Sequence, residues 1–377
     1  MGNLGEGWEV ESYSLTIQRS DLPLPRRRYP AGPRWTDHRS RDPLMLVWTR
    51  ALARLGYPPV FAHRLARAWP HRQVVRALSR ADAVIVSPPY HYEWVRAMVP
   101  AGVPVVFDEH SVEADMYTAR GSRWSKAIVR EIQRSERAAL GGADTVFVTS
   151  PDDGARVRAE GAREVVVVPN GAEVARFAPD NRDTLDLRRQ LGLPTDRPLG
   201  IFVGSGHPPN VAAVAELERQ ADEYDRAGLT VVIAGRCGLG RAPVWNVVHC
   251  GEVPDVATYL HAADVALCPL TYGSGTSLKT VEYLAAGLPL VSTAVGVRGL
   301  GLAAGVDCEV AAISEMPTRV AALLGDPARM AALRAAGRAA AARFDWTVIG
   351  ATAATALDRL VDRKRADAAP QGAAPPG

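Results

Sequence analysis

Short runs of Val, Ile and Leu alternate with helical patterns along almost the whole chain. That rhythm belongs to βαβ units, in which a parallel sheet is covered on both faces by helices. In the first half it predicts strands near 9–15, 83–86, 103–107, 145–148 and 165–168, with a long helix over 123–140. Another helix opens at "SPDD", where Ser150 is the cap, Pro151 the first helical residue and two acids fill the first turn. The second half predicts strands near 199–203, 230–234, 247–250, 265–268, 290–292 and 309–311. Two helices rich in Ala, Leu and Arg follow over about 314–342, read as an amphipathic cover with solvated arginines. A last helix runs over about 345–363.

The polar stretch "FAPDNRDTLD", after "VVVPNG", predicts a hinge between two doubly wound domains, 1–178 and 179–344. A chain of 377 residues is too long for one ordinary core and suits two domains of roughly 180 each. The tail over 366–377 has the composition of a disordered segment. The stretch 21–42, rich in Pro and Arg, shows no pattern, and its cluster "PRRRYPAGPRW" reads as a solvated loop before an anionic acceptor or a membrane surface. A doubly wound domain opens with a strand and a glycine turn into a helix. Here "GEGWEVESYSL" reads as the end of that helix and the second strand, so the first βα unit is expected to be missing or encoded upstream.

Hydrophobic residues make up 47% and charged residues 23%, the composition of a soluble globular protein. The net charge of +3 is small and its basic residues are spread along the chain, and aromatics make up only 6%, which argues against a nucleic-acid partner. No apolar run reaches the ~18 residues of a membrane span, and the first residues lack the basic and apolar regions of a signal peptide. The four cysteines form no CxxC pair, which suits reduced thiols and a cytoplasmic location.

Against this background one stretch demands a ligand: "CPLTYGSGTSLKTVEYLAAGLPLVSTAVG", residues 268–296. An apolar strand is followed by Gly273, Ser274, Gly275, Thr276 and Ser277, then by a helix that ends at Gly287 with Pro289 beyond. Glycines let backbone N–H groups approach a ligand, and a helix start adds unpaired donors and partial positive charge. Lys279, one of only three lysines among 44 basic residues, can place an ammonium on an anion held there. Glu282 follows one turn later on the same face and can pair two adjacent ribose hydroxyls. The same residues also fit a tight turn followed by a surface Lys279–Glu282 ion pair. His110 follows the apolar strand "VPVVF", at the strand end where open α/β sheets bind ligands, though a packing or capping histidine fits equally. Asn170 and Gly171 read first as a hinge turn.

"GSGTSLKTVEYLAAGLPLVSTAVGVRGL" resembles the nucleotide-sugar motif of the group 1, family-4-like retaining glycosyltransferases, which have the GT-B fold. "FVGSGHPPNVAAV", "VVPNGAEVARFAP" and "VVFDEHSVEADMY" resemble, in the right order, the family's C-domain opening, its interdomain segment and its acceptor-side histidine stretch. The likeness covers about 83–344. It implies two Rossmann-like doubly wound parallel-sheet domains facing a central cleft, with 345–365 packing back on the first. It assigns Glu282 to the donor's ribose, Ser274, Gly275, Thr276, Ser277 and Lys279 to the diphosphate, and the turn at Gly204 and Ser205 to the donor side. Arg236 and the 252–253 turn with Val253 fall to the base pocket, His110 to the transferred sugar and Glu113 to the acceptor side. Three departures stand out: Ser274 replaces a second glutamate, no basic residue follows "VG", and the first glycine turn is missing.

The chemistry so implied is transfer of a sugar from a nucleotide-diphosphate sugar to a glycan, lipid-linked or natural-product acceptor, with retention. No D-x-D occurs, so neither metal nor other cofactor is expected, and the helix start with Lys279 stands in for a cation on the leaving diphosphate. A hexosyltransferase is the leading reading, with peripheral membrane contact compatible with it. The alternatives are a GT-B epimerase or phosphorylase, and a non-catalytic glycosyltransferase-like binding partner.

Overall fold

The computed structural model describes residues 7–14, 28–32, 34–39, 72–109, 125–179, 182–273 and 275–368, with isolated positions at 4, 47, 51 and 54. The chain divides into two compact units, one of residues 1–168 with 350–377, the other of residues 169–349.

In the first unit, β4 (Val84–Val86), β5 (Val105–Glu109), β6 (Thr145–Val148) and β7 (Val165–Val167) form a parallel sheet in chain order. Val105, Val106, Phe107 and Val146 have no exposed surface, as expected of strands covered on both faces. α1 (Ser125–Gly142) puts Ala139 and Leu140 on one face of that sheet. α2 (Pro151–Ala159) starts where Ser150 Oγ accepts from the Asp153 amide. The 21–42 stretch holds two strands that sequence pattern did not show. β1 (Val10–Ser14) pairs in parallel with β3 (Trp35–Arg39), which pairs antiparallel with β2 (Arg28–Gly32) across a register shift at Pro30. Proline and mixed polar residues hide the alternation there. β1 and β4 are both edge strands, and both line a cavity of about 1200 Å³ together with Leu357 and Val361.

The second unit carries a six-stranded parallel sheet in the order β10-β9-β8-β11-β12-β13. Its strands are β8 (Leu199–Val203), β9 (Thr230–Ala234), β10 (Val247–Gly251), β11 (Val265–Cys268), β12 (Leu290–Ser292) and β13 (Glu309–Val310). Leu199, Ile201, Phe202, Ile233 and Leu267 are fully buried, each adding about 1.5–3 kcal/mol of burial free energy. After β8 the chain builds outward through β9 and β10; after β11 it builds the other way. The strand order therefore reverses between β8 and β11, which is where open α/β sheets bind their ligands.

Two boundaries differ from the sequence reading. The units part at 168/169 rather than 178/179, and at 349/350 rather than 344/345. The "PNG" segment is stitched into the second unit: the Ala172 amide donates to Phe344 O at 2.9 Å, and the Trp346 amide donates to Ala172 O at 3.2 Å. A Cβ on Gly171 would stand 2.8 Å from the Trp346 ring, so only glycine fits this crossing without a shift. The last helix, α5 (Trp346–Ala368), is longer than predicted and reaches three residues into the 366–377 tail; residues 369–377 lie outside the described residues. Among the described residues no helix is long and apolar enough to cross a membrane.

Candidate functional site

Four loops leave the C-terminal ends of β8, β9, β10 and β11 and carry Gly204–Ser205, Arg236, Val253 and the glycine loop respectively. The loops after β8 and β11 flank the point of strand-order reversal. α4 (Leu278–Ala285) starts directly after the glycine loop, with Ser277 as its N-cap residue. The Ser277 side chain makes no capping bond, and its Oγ is buried without a partner of hydrogen-bonding geometry, beside the Cys268 thiol. An unmade cap leaves the first α4 amides to another acceptor.

The glycine loop is held from both sides. Gly275 has φ of 68°, a left-handed conformation that glycine adopts without strain, and its carbonyl accepts from the Arg298 guanidinium at 2.9 Å. Thr276 Oγ1 accepts from the Asn170 side-chain amide at 3.1 Å. Thr280, fully buried, donates to Gly296 O at 2.7 Å and so ties the first turn of α4 to the segment after β12. Asn170 thus does more than make a hinge turn.

Lys279 is half-buried and points back toward β8. Its Nζ donates to Asn210 Oδ1 and lies 4.5 Å from the centroid of the Phe202 ring. Burial lowers its pKa against the opposing pull of nearby groups. The thiols of Cys237 and Cys268 are pushed up by burial and stay neutral, so they offer no counter-charge at neutral pH. Glu282, one turn on, is also shifted upward, chiefly by burial, while Lys279 and then Arg176 pull it down. No hydrogen bond joins Lys279 to Glu282 among the described residues. The surface ion pair that the same residues also fitted is therefore not what forms; two desolvated, opposite charges stand near each other without closing.

Asn210 lies in the first turn of α3 (Pro208–Arg219), and its Nδ2 donates to Ser205 O at 3.1 Å and Ser205 Oγ at 3.2 Å. A Cβ on Gly204 would come within 2.9 Å of Asn210 Cβ and 3.0 Å of Cys237 Sγ, so the turn after β8 needs glycine to let α3 approach. Arg236 is exposed in the short turn after β9, with Gly206 close to its Cβ, and Val253 is half-buried after β10. Ser274, His110 and Glu113 lie outside the described residues. The sequence reading gave no role to Asn210, Phe202 or Arg298. All three stand inside the quoted stretches "FVGSGHPPN" and "GVRGL", where Asn210 and Arg298 are signalled only by the motif and Phe202 reads as ordinary core.

Two family models match the chain: a glycosyl transferase 4-like domain over residues 5–171, and glycosyl transferases group 1 over residues 197–326. A D-inositol 3-phosphate glycosyltransferase of Kineococcus radiotolerans is 32% identical over 244 residues, 56% of this chain and 55% of that protein. The chain spans about half the length of the first curated relatives it matches. Among solved structures, the sucrose-phosphate synthase of Thermosynechococcus elongatus superposes with a TM-score of 0.66 at 20% identity, covering 96% of this chain and 90% of that one. Anabaena HepE, solved in complex with UDP, gives 0.65 at 16% identity, over 93% of this chain and 100% of that one. With matched models over both halves and a shared two-unit α/β architecture, the chain belongs to the group 1 glycosyltransferases of GT-B fold.

Proposed function

We propose that the chain moves a sugar from a nucleotide-diphosphate sugar to a hydroxyl acceptor, with retention and without a metal. The observation that carries this is Lys279: an ammonium removed from water, with no carboxylate bonded to it among the described residues, beside a glycine loop and an uncapped helix start at the strand-order reversal. Such a place costs free energy when empty and gains it when a diphosphate arrives. Its positive potential then meets the negative charge that grows on the leaving diphosphate as the C1–O bond stretches.

In the transfer, the bond from sugar C1 to the β-phosphate oxygen breaks and a bond from C1 to the acceptor oxygen forms on the same face. The acceptor proton passes to the departing phosphate, so no second carboxylate is required. Lys279, Thr276 and the first α4 amides hold the diphosphate, and Glu282 takes the ribose hydroxyls. His110, by family resemblance, attends the transferred sugar. Anabaena HepE was solved with UDP and with UDP-glucose, which makes uridine nucleotides the first donors to try.

The test is turnover of UDP-sugars against a panel of acceptors, before and after exhaustive treatment with EDTA, with the product's anomeric configuration read by NMR. Acceptor-dependent release of UDP, unchanged by EDTA and with the anomeric configuration kept, is expected. Inverted product, or activity restored only by added divalent metal, contradicts the proposal. His110→Ala should lower turnover far more than it weakens UDP binding.

A further inference from the structure

We infer that Asn210 is a positioning residue: its neutral side-chain amide holds the Lys279 ammonium ready for a diphosphate without cancelling its charge. The inference rests on the nucleotide-sugar site proposed above and names a residue that site has not so far been given.

The geometry leaves the amide one orientation. An ammonium only donates, so the atom of Asn210 facing Lys279 must be Oδ1. Ser205 O only accepts, so the atom facing it at 3.1 Å must be Nδ2. Asn210 therefore spans the turn after β8 and the first turn of α4, two segments brought together only by the sheet. The gap it spans is shaped for it, since a Cβ on Gly204 would collide with the Asn210 stem. On its other side the ammonium rests on the fully buried Phe202 ring at 4.5 Å. Both supports are uncharged. Burial costs the ammonium its hydration, and an amide oxygen with a ring face returns only part of it, leaving most of the charge to act on a ligand.

An aspartate here has the same shape and makes a stronger bond to the ammonium. If position 210 served only to brace the turn, aspartate would lose the bond that Nδ2 gives Ser205 O but keep one to the ammonium, whereas alanine would lose both. If the site needs an uncancelled ammonium, aspartate removes it. The two roles thus give opposite rankings of two variants.

The experiment measures UDP binding by calorimetry, and melting temperature, for the full chain and for Asn210→Asp, Asn210→Ala and Lys279→Ala. The expected order of affinity is wild type, then Asn210→Ala about 3- to 10-fold weaker, then Asn210→Asp weaker by 10-fold or more while melting no lower than Asn210→Ala. A bracing role predicts the reverse order, with Asn210→Asp between wild type and Asn210→Ala, the weaker binder; that result overturns the inference. Should Asn210→Asp fail to fold, the Asn210→Ala affinity decides alone: no loss of affinity overturns it. Lys279→Ala separates the two claims. If it binds UDP as wild type does, the site reading fails; if it binds weakly while Asn210→Asp binds normally, only the role of Asn210 fails.

Discussion

Glu109 ends β5 with 5% of its surface exposed, 3.4 Å from the Arg156 guanidinium. Burial, then the nearby Glu136, raise its pKa from 4.5 to about 8, more than Arg156 lowers it. The folded chain therefore keeps a proton on Glu109 that the unfolded chain releases above about pH 4.5. Its contribution to stability is full below that pH and is lost as pH rises toward about 8. Glu109→Gln should remove this dependence, so its unfolding free energy falls less steeply than wild type between pH 5 and 8, by up to about 1.4 kcal/mol per pH unit. Parallel curves would contradict it. At Gly204, alanine should cost about 1–3 kcal/mol by denaturant unfolding, because its Cβ has nowhere to go between Asn210 and Cys237. The glycine loop and Lys279 stood out in the sequence as a candidate site because residue type and spacing carry the signal locally. Asn210 was not, since its partner is 69 positions away and only the folded sheet joins them. Asn170 is the same case over 106 positions, and its bond to Thr276 was hidden behind an ordinary "PNG" turn.

Strands buried on both faces announce themselves as unbroken apolar runs, and β8, β9 and β11 stand where those runs lie. Ser150 likewise stands at the start of α2, with its side chain accepting as a cap should. What pattern missed is β2 and β3, whose polar and proline content does not alternate. Elements also depend on contacts that no local pattern shows. Asp264 precedes β11 and accepts from the buried Arg188 guanidinium at 2.5 Å and from the Leu199 amide at 2.7 Å, joining the starts of β8 and β11 to the helix Thr184–Leu191. Asp264→Ala leaves that guanidinium without its counter-charge and should destabilise the second unit by about 3–5 kcal/mol. A loss under 1 kcal/mol by chemical denaturation would show that the pair is not needed there.

The second unit is one continuous stretch, 169–349, and the first is not. The first is closed by the chain's end: Ala353, Ala354, Leu357 and Leu360 of α5 pack with Val106 and Phe147. Leu357→Ala should cost about 2–5 kcal/mol in the unfolding of that unit, read by denaturant titration, while UDP affinity at the second unit stays unchanged. Loss of UDP binding at temperatures where the chain remains folded would contradict this separation. The two-domain α/β class was legible from rhythm and length alone, whereas the place where the chain divides was not. It turns on the pairing of Ala172 with Phe344 and Trp346, far apart in sequence. The proposed function requires the ammonium of Lys279 to meet a diphosphate. Calorimetric titration of UDP into wild type and Lys279→Ala tests it most directly: removing a charged hydrogen bond worth about 1.5–3 kcal/mol should weaken binding about 10- to 100-fold. Equal affinity in a folded Lys279→Ala protein would contradict it.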